Sequence, residues 1–232
     1  MERVTEQPTY TIHRACTRPS LKGNWHEAAW QAAETLEVRH FHARSSEHRP
    51  RTQARLLAGT RGLHAIFAVE DRYVRCLTTA PNGPVCRDSC VEFFVQPKPD
   101  RGYFNFEINC GGCLHVSYVE DPTRLPTPPG GFKRFALVPP ELAQAVRIYH
   151  SLPATVMPEI AAPQNWVNEL YLPYDLFTPF IGTVDPQAGD AWRGNFYKCA
   201  DGTSHPHWAT WAAIGAELNF HQPQYFAPLR FA

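Results

Sequence analysis

Two carboxylates, two amides and a phenol recur at alternate positions in two neighbouring segments, Cys90–Val95 and Tyr103–Asn109. In the first segment Val91, Phe93 and Val95 fall on one side, and Glu92 and Phe94 on the other. In the second, Phe104, Phe106 and Ile108 oppose Tyr103, Asn105, Glu107 and Asn109. This period of two is that of half-buried strands. Pairing the strands would gather Glu92, Glu107, Asn105, Asn109 and Tyr103 on one face of a sheet. A hydroxylated ligand both donates and accepts hydrogen bonds, so carboxylates and amides are its natural partners. The same groups on an antiparallel sheet can simply face water. A third reading is catalytic: a glycosidase needs two carboxyl groups about 5–9.5 Å apart, and Glu92 and Glu107 are the pair to consider. No G-x-S-x-G, H-E-x-x-H or phosphate-loop motif accompanies them.

Further candidates surround this pair. Trp192, Trp208 and Trp211 offer flat apolar faces suited to stacking on a sugar ring, or to core packing. Trp208 and Trp211 are three apart, so on a strand they take opposite sides. Asn195 and Tyr197 share a side of the segment Trp192–Cys199, and Lys198 takes the other. His205-Pro206-His207, close to Cys199 and Asp201, contains metal-ligating residue types but no zinc spacing. Cys110-Gly-Gly-Cys113 lacks the strand–helix setting of a redox motif. With Cys86 and Cys90 it would make a zinc site; packed thiols are the plainer reading. Asp71, Asp88, Asp121 and Asp201 are oxygen donors of the kind calcium requires, and Asp88 stands just before a strand.

The elements that must position these groups are short strands. Thr52–Ala58 and Leu63–Val69 flank Gly59-Thr-Arg-Gly62, a hairpin signal. Leu36–Phe41, Leu114–Val119, Phe132–Val138, Val146–Leu152, Trp166–Leu172, Trp208–Ile214 and Phe226–Phe231 add further strands, and Pro122–Gly131 reads as a proline-rich loop. Asn24, with Glu27 three residues on, opens one short helix carrying Trp25, Ala28, Ala29, Ala32 and Ala33. Pro173–Phe177 reads as a helical turn. The expected fold is all-β: an antiparallel β-sandwich, jelly-roll-like, with one short N-terminal helix. Residues 1–20 form an N-terminal extension with an edge strand at Tyr10–Ile12. Residues 21–232 form a single domain.

Composition agrees with a folded binding or enzymatic domain. Hydrophobic residues make up 44% of the 232, with 14 Phe, 9 Tyr and 6 Trp, which excludes a disordered chain. Lys+Arg and Asp+Glu are balanced at 22 each, so no electrostatic case exists for nucleic acid or for an anionic membrane. No run approaches the roughly 20 apolar residues of a membrane span. The first twenty residues hold no apolar segment of the signal-peptide kind, which points to the cytoplasm, although a processed exported chain would read the same. Seven cysteines without a secretion signal point to free thiols. Oligomeric state is left open.

DSCVEFFV followed by YFNFEINCGG resembles the core signature of family 9 carbohydrate-binding modules. GNWHEAAWQAA is similar to their opening segment, and WRGNFYKCADGTSHPHWATWAAIGAELNFHQPQYFAPLRF to the closing segment of stand-alone family-9-like proteins. The resemblance spans most of 21–231. It implies a two-sheet sandwich whose groove binds glycan ends or small saccharides without turnover, in the service of carbohydrate catabolism. It also implies a structural calcium ion, for which Asp88 is the position. By motif, Glu92 and Asn109 are its ligand-binding residues, and Glu107 replaces a basic residue of the family. Asn195, Tyr197 and Lys198 join them from the closing run, with Trp208 or Trp211 as the stacking partner. The family's other clamp tryptophan falls where this chain has Val85-Cys86.

Overall fold

The computed structural model describes residues 7–126 and 131–232. Sixteen strands follow one another: β1 Tyr10–Arg14, β2 Leu36–Val38, β3 His40–Phe41, β4 Arg51–Ala58, β5 Gly62–Asp71, β6 Val74–Cys76, β7 Cys90–Gln96, β8 Tyr103–Asn109, β9 Leu114–Arg124, β10 Phe132–Leu137, β11 Arg147–His150, β12 Val156–Ile160, β13 Gln164–Pro173, β14 Ala191–Cys199, β15 Trp208–Thr210 and β16 Ala227–Phe231. Two short α-helices, α1 Pro140–Ala143 and α2 Thr178–Ile181, lie in connections.

One sheet runs β10-β9-β8-β7-β14-β16, with β15 paired to one end of β14. The other runs β4-β5-β13-β11, with β2 along β4. β1 joins them. Its Tyr10–Ile12 pair in parallel with β16, and His13 and Arg14 in parallel with the end of β4. The strand expected at an edge therefore bridges both sheets, with ladder partners far away in sequence.

Alternation decides what lies between the sheets. Val91, Phe93 and Val95 of β7, Phe104, Phe106 and Ile108 of β8, and Phe196 of β14 face inward. They meet Ala54, Leu56, Ala65, Phe67 and Leu170 from the second sheet. Phe196 stacks on Phe93 at 4.7 Å and reaches Phe67 across the core at 6.0 Å. Gly194 of β14 lies so close to β7 that a Cβ would stand 2.6 Å from the Phe94 carbonyl oxygen.

The helix expected from Asn24 forms later and tighter, as a 3₁₀ turn over Ala28–Ala32. Asn24 instead accepts a hydrogen bond from the His26 N–H, and the Glu27 carboxylate turns back to Ser20. The Glu169 carboxylate accepts from the N–H groups of Leu21 and Gly23, so this segment is tied over the second sheet's outer face. Tyr174–Leu176 makes the expected turn, in 3₁₀ form, and α2 follows it.

The expected strand Leu36–Phe41 divides into β2 and β3, and the largest shifts of strand boundary fall at β9 and β15. β9 runs on through Pro122 to Arg124, shortening the expected proline-rich loop, of which 127–130 lie outside the described residues. β15 stops at Thr210 because the Asn195 side-chain amide takes both the N–H and the carbonyl of Ala212, which draws the chain off the ladder.

Candidate functional site

The cleft over the first sheet is built from the register of β8, β7 and β14. Glu107 stands opposite Glu92, and Glu92 stands opposite Tyr197. One row across the sheet thus carries both carboxylates on the outer face. β15 extends the sheet beside β14, setting Trp208 opposite Cys199 on that same face. The loop Glu217–His221 folds over the other side. Together they enclose about 330 Å³, within the range of small-molecule sites. Glu92, Glu107, Cys86 and Cys199 reach it from the sheet side, Trp208 and Asp201 from one rim, Arg124 and the 217–221 loop from the other.

Each group is held in place. Asn105 donates to Glu107 Oε1 at 2.7 Å, and Ser117 in turn donates to Asn105. Cys199 Sγ donates to Glu92 Oε1 at 3.1 Å. Trp208 Nε1 donates to Asp201 Oδ1 at 2.7 Å, which fixes the indole at the rim. Burial raises the pKa of Glu92 well above the carboxylate range, and the neighbouring Glu107 pushes it further. Burial also raises Glu107, opposed by His115 and by the Asn105 hydrogen bond. The floor thus favours retention of a proton, giving it both donor and acceptor character.

Other sites expected from the sequence lie elsewhere. Asn109 is buried beneath the turn that follows β8, where Gly112 adopts φ +84°. Its side chain donates to Thr78 O and Asp88 Oδ2 and accepts from the Cys113 N–H, so it holds that turn and does not line the cleft. Asn195 is spent on Ala212 and the Phe196 N–H. Tyr197 is under the closing loop, stacked on Phe220 at 4.2 Å and donating to its carbonyl. Trp211 packs in the core against Phe196 and Tyr10. Lys198 points inward, as alternation requires. Its Nζ lies 3.4 Å from Asp71 Oδ2 and 2.8 Å from His207 Nε2.

The calcium candidates do not form a calcium cage. Asp88 is fully buried and accepts from the N–H groups of Leu77 and Thr78 and from Asn109. Those partners are hydrogen-bond donors, whereas calcium needs six to eight oxygens. Asp71 sits between Lys198, His48 and Trp166. Asp121 pairs with Lys133. Of the histidine loop, His205 stacks on Tyr73 at 3.6 Å and His207 joins the buried Lys198 cluster. Cys110 is buried, and Cys113 donates to Ala80 O. Cys90 faces Cys199 across the β7–β14 pair instead.

Sequence reasoning did not single out Arg124, Glu217, Asn219, Phe220 or His221, all of which line the cleft. The mixture of acid, amide, aromatic and imidazole in Glu217-Leu-Asn-Phe-His221 was the available signal. His221 bonds Tyr103 Oη at 2.8 Å, and burial followed by Arg124 lowers its pKa to about 3, so this imidazole is neutral.

A two-sheet sandwich with a carboxylate-floored, tryptophan-rimmed cleft on one outer face has the build of a carbohydrate-binding module. The model of carbohydrate-binding family 9 matches residues 26–231. The chain belongs to that family, one of binding modules rather than catalysts, and carbohydrate binding is its class of function. A crystal structure from Bacteroides uniformis ATCC 8492, proposed to be a carbohydrate-binding protein, superposes with TM-score 0.82 at 26% identity. That match covers 98% of this chain and 100% of the other. A family 9 module from Caldicellulosiruptor kristjanssonii in complex with cellotriose gives 0.62 at 12% identity, covering 97% and 93% of the two chains. The module from that organism in complex with glucose gives 0.61 at 11%, covering 96% and 95%. The comparison with curated proteins gave no match.

Proposed function

We propose that the protein binds neutral saccharides, as chain ends or short oligosaccharides, in the Glu92–Glu107–Trp208 cleft and releases them unchanged. One observation carries this reading: the indole of Trp208, locked by Asp201, stands at the rim of a cleft floored by two opposed carboxyl groups. An indole covers the C–H face of a pyranose while the carboxyl groups take its hydroxyls. Glu92, Glu107, Asp201 and Glu217 line the cleft against the single guanidinium of Arg124. With burial favouring the protonated form of Glu92 and Glu107, little net charge remains in the cleft, which suits uncharged sugars. The Caldicellulosiruptor kristjanssonii complexes, with cellotriose and glucose, support glucose-type ligands. The resemblance implies a second clamp tryptophan at Val85-Cys86, and Cys86 lines the cleft wall, so stacking is one-sided.

Calorimetric titration with glucose, cello-oligosaccharides and a uronic acid tests this. Trp208→Ala should weaken binding roughly two- to tenfold, since loss of one stacking surface is worth about 0.5–1.5 kcal/mol. Its melting temperature should stay close to wild type. Wild-type affinity in both Trp208→Ala and Glu107→Gln, or release of reducing sugar from the ligand, would refute the proposal.

A further inference from the structure

Two thiols meet a carboxylate at the floor of the cleft, and saccharide recognition has no need of them. Cys90 and Cys199 are directly opposed across β7 and β14. Glu92 lies two positions along β7 on the same face, and Cys199 Sγ contacts its Oε1 at 3.1 Å. One ligand atom from each of Cys90, Glu92 and Cys199 lies within 4.8 Å of the other two. All three residues are buried. Cys86 packs against this group. Zinc bonds of about 2.3 Å to sulfur and 2.0–2.2 Å to oxygen place tetrahedral ligands roughly 3.3–3.8 Å apart, so the three side chains draw closer together when a metal binds.

We propose that Cys90, Glu92 and Cys199 form a site for a thiophilic divalent cation of the zinc type, with its fourth position turned to the cleft. Soft sulfur donors select such a cation over calcium or magnesium, which take all-oxygen shells. Glu92 and Cys199 both line the cleft, so the open position is available to water or to a ligand hydroxyl. On binding, each thiol and the Glu92 carboxyl group release their protons to solvent as the sulfur–metal and oxygen–metal bonds form. Two thiolates, one carboxylate and the dication leave one net negative charge, with the Lys198 ammonium against the Cys199 carbonyl at 3.1 Å. Without a metal the same thiols are held neutral, burial pushing Cys90 up to about 12. Plain thiol packing accounts for Cys110 and Cys113. It does not account for a carboxyl group buried between two thiols.

Titration of the reduced protein with cobalt(II), without saccharide, tests the site independently of sugar binding. The expected result is one equivalent bound, with a sulfur-to-cobalt charge-transfer band and visible bands of tetrahedral intensity that zinc abolishes. Cys90→Ser and Cys199→Ser should each remove the charge-transfer band, and Cys113→Ser should keep it. Absence of the band in the wild type, or its survival in both variants, overturns the assignment. If the serine variants fail to melt cooperatively, X-ray absorption on the zinc-loaded wild type decides. Two sulfur ligands with oxygen completing the shell support the site; none, or four, overturns it.

Discussion

Replacing Lys198 by methionine separates two roles for the same residue. A lysine in the closing segment of a sugar-binding family invites assignment to the ligand, yet this one and its partner Asp71 both have fully buried side chains. At 3.4 Å and an effective dielectric of about 20, their attraction is about 5 kcal/mol. Burial alone would raise the Asp71 pKa, but Lys198 and the His48 hydrogen bond outweigh it and hold it well below the usual carboxylate range. Lys198→Met leaves Asp71 with His48, Trp166 and the Arg72 N–H, so part of its solvation survives. The expected cost is about 3–5 kcal/mol, that of breaking one side of a buried pair. At about 2–4 °C per kcal/mol for a chain of this size, the melting temperature should fall by roughly 6–20 °C. A carboxyl group whose folded pKa is depressed contributes stability above its unfolded value, and that contribution is lost as pH falls through the folded one. The deficit of Lys198→Met should therefore be largest at neutral pH and shrink in acid. Lys198→Met with Asp71→Asn should recover much of the loss. The assay is chemical denaturation across pH, with saccharide titration alongside. A Lys198→Met protein that melts with the wild type but no longer binds saccharide would refute this placement.

Three more outcomes follow from buried carboxyl groups. Glu92 has a folded pKa raised by burial and by Glu107, so its contribution is complete below about 4.3, the unfolded value, and is lost as pH rises through the folded one. Glu92→Gln should accordingly match or trail the wild type near pH 4 and gain on it towards pH 8, in metal-free denaturation curves; parallel curves would contradict the raised pKa. Asp88→Ala should cost roughly 2–5 kcal/mol, because it orphans the N–H groups of Leu77 and Thr78 and one bond of Asn109. EGTA should leave the wild-type melting temperature unchanged; a fall of several degrees would restore a calcium role.

The central strand pair was legible because side chains on a strand alternate with period two. That rule placed Phe93 inward and Glu92 outward, parted Trp208 from Trp211, and turned Lys198 away from Asn195 and Tyr197. It also put Asn109 on the face of Glu107, and the β7–β14 register then set Tyr197 on the face of Glu92. Alternation names a face but not what packs onto it. Loop Glu217–His221 covers Tyr197, and the turn after β8 covers Asn109, so neither is left to a ligand. β12 was missed because Met157-Pro158-Glu159 interrupts the pattern, and it pairs only with the short β6.

The sandwich, its inner and outer faces and the family were legible from the chain alone, since all three depend on local period and ordered motifs. Tertiary structure decided which outward groups share a cleft. Asp201 fixes Trp208, Asp71 claims Lys198, Asp88 claims Asn109, and Cys199 reaches Glu92. Most of those pairings join segments far apart in the chain, and a buried polar group takes whichever partner the packing brings to it.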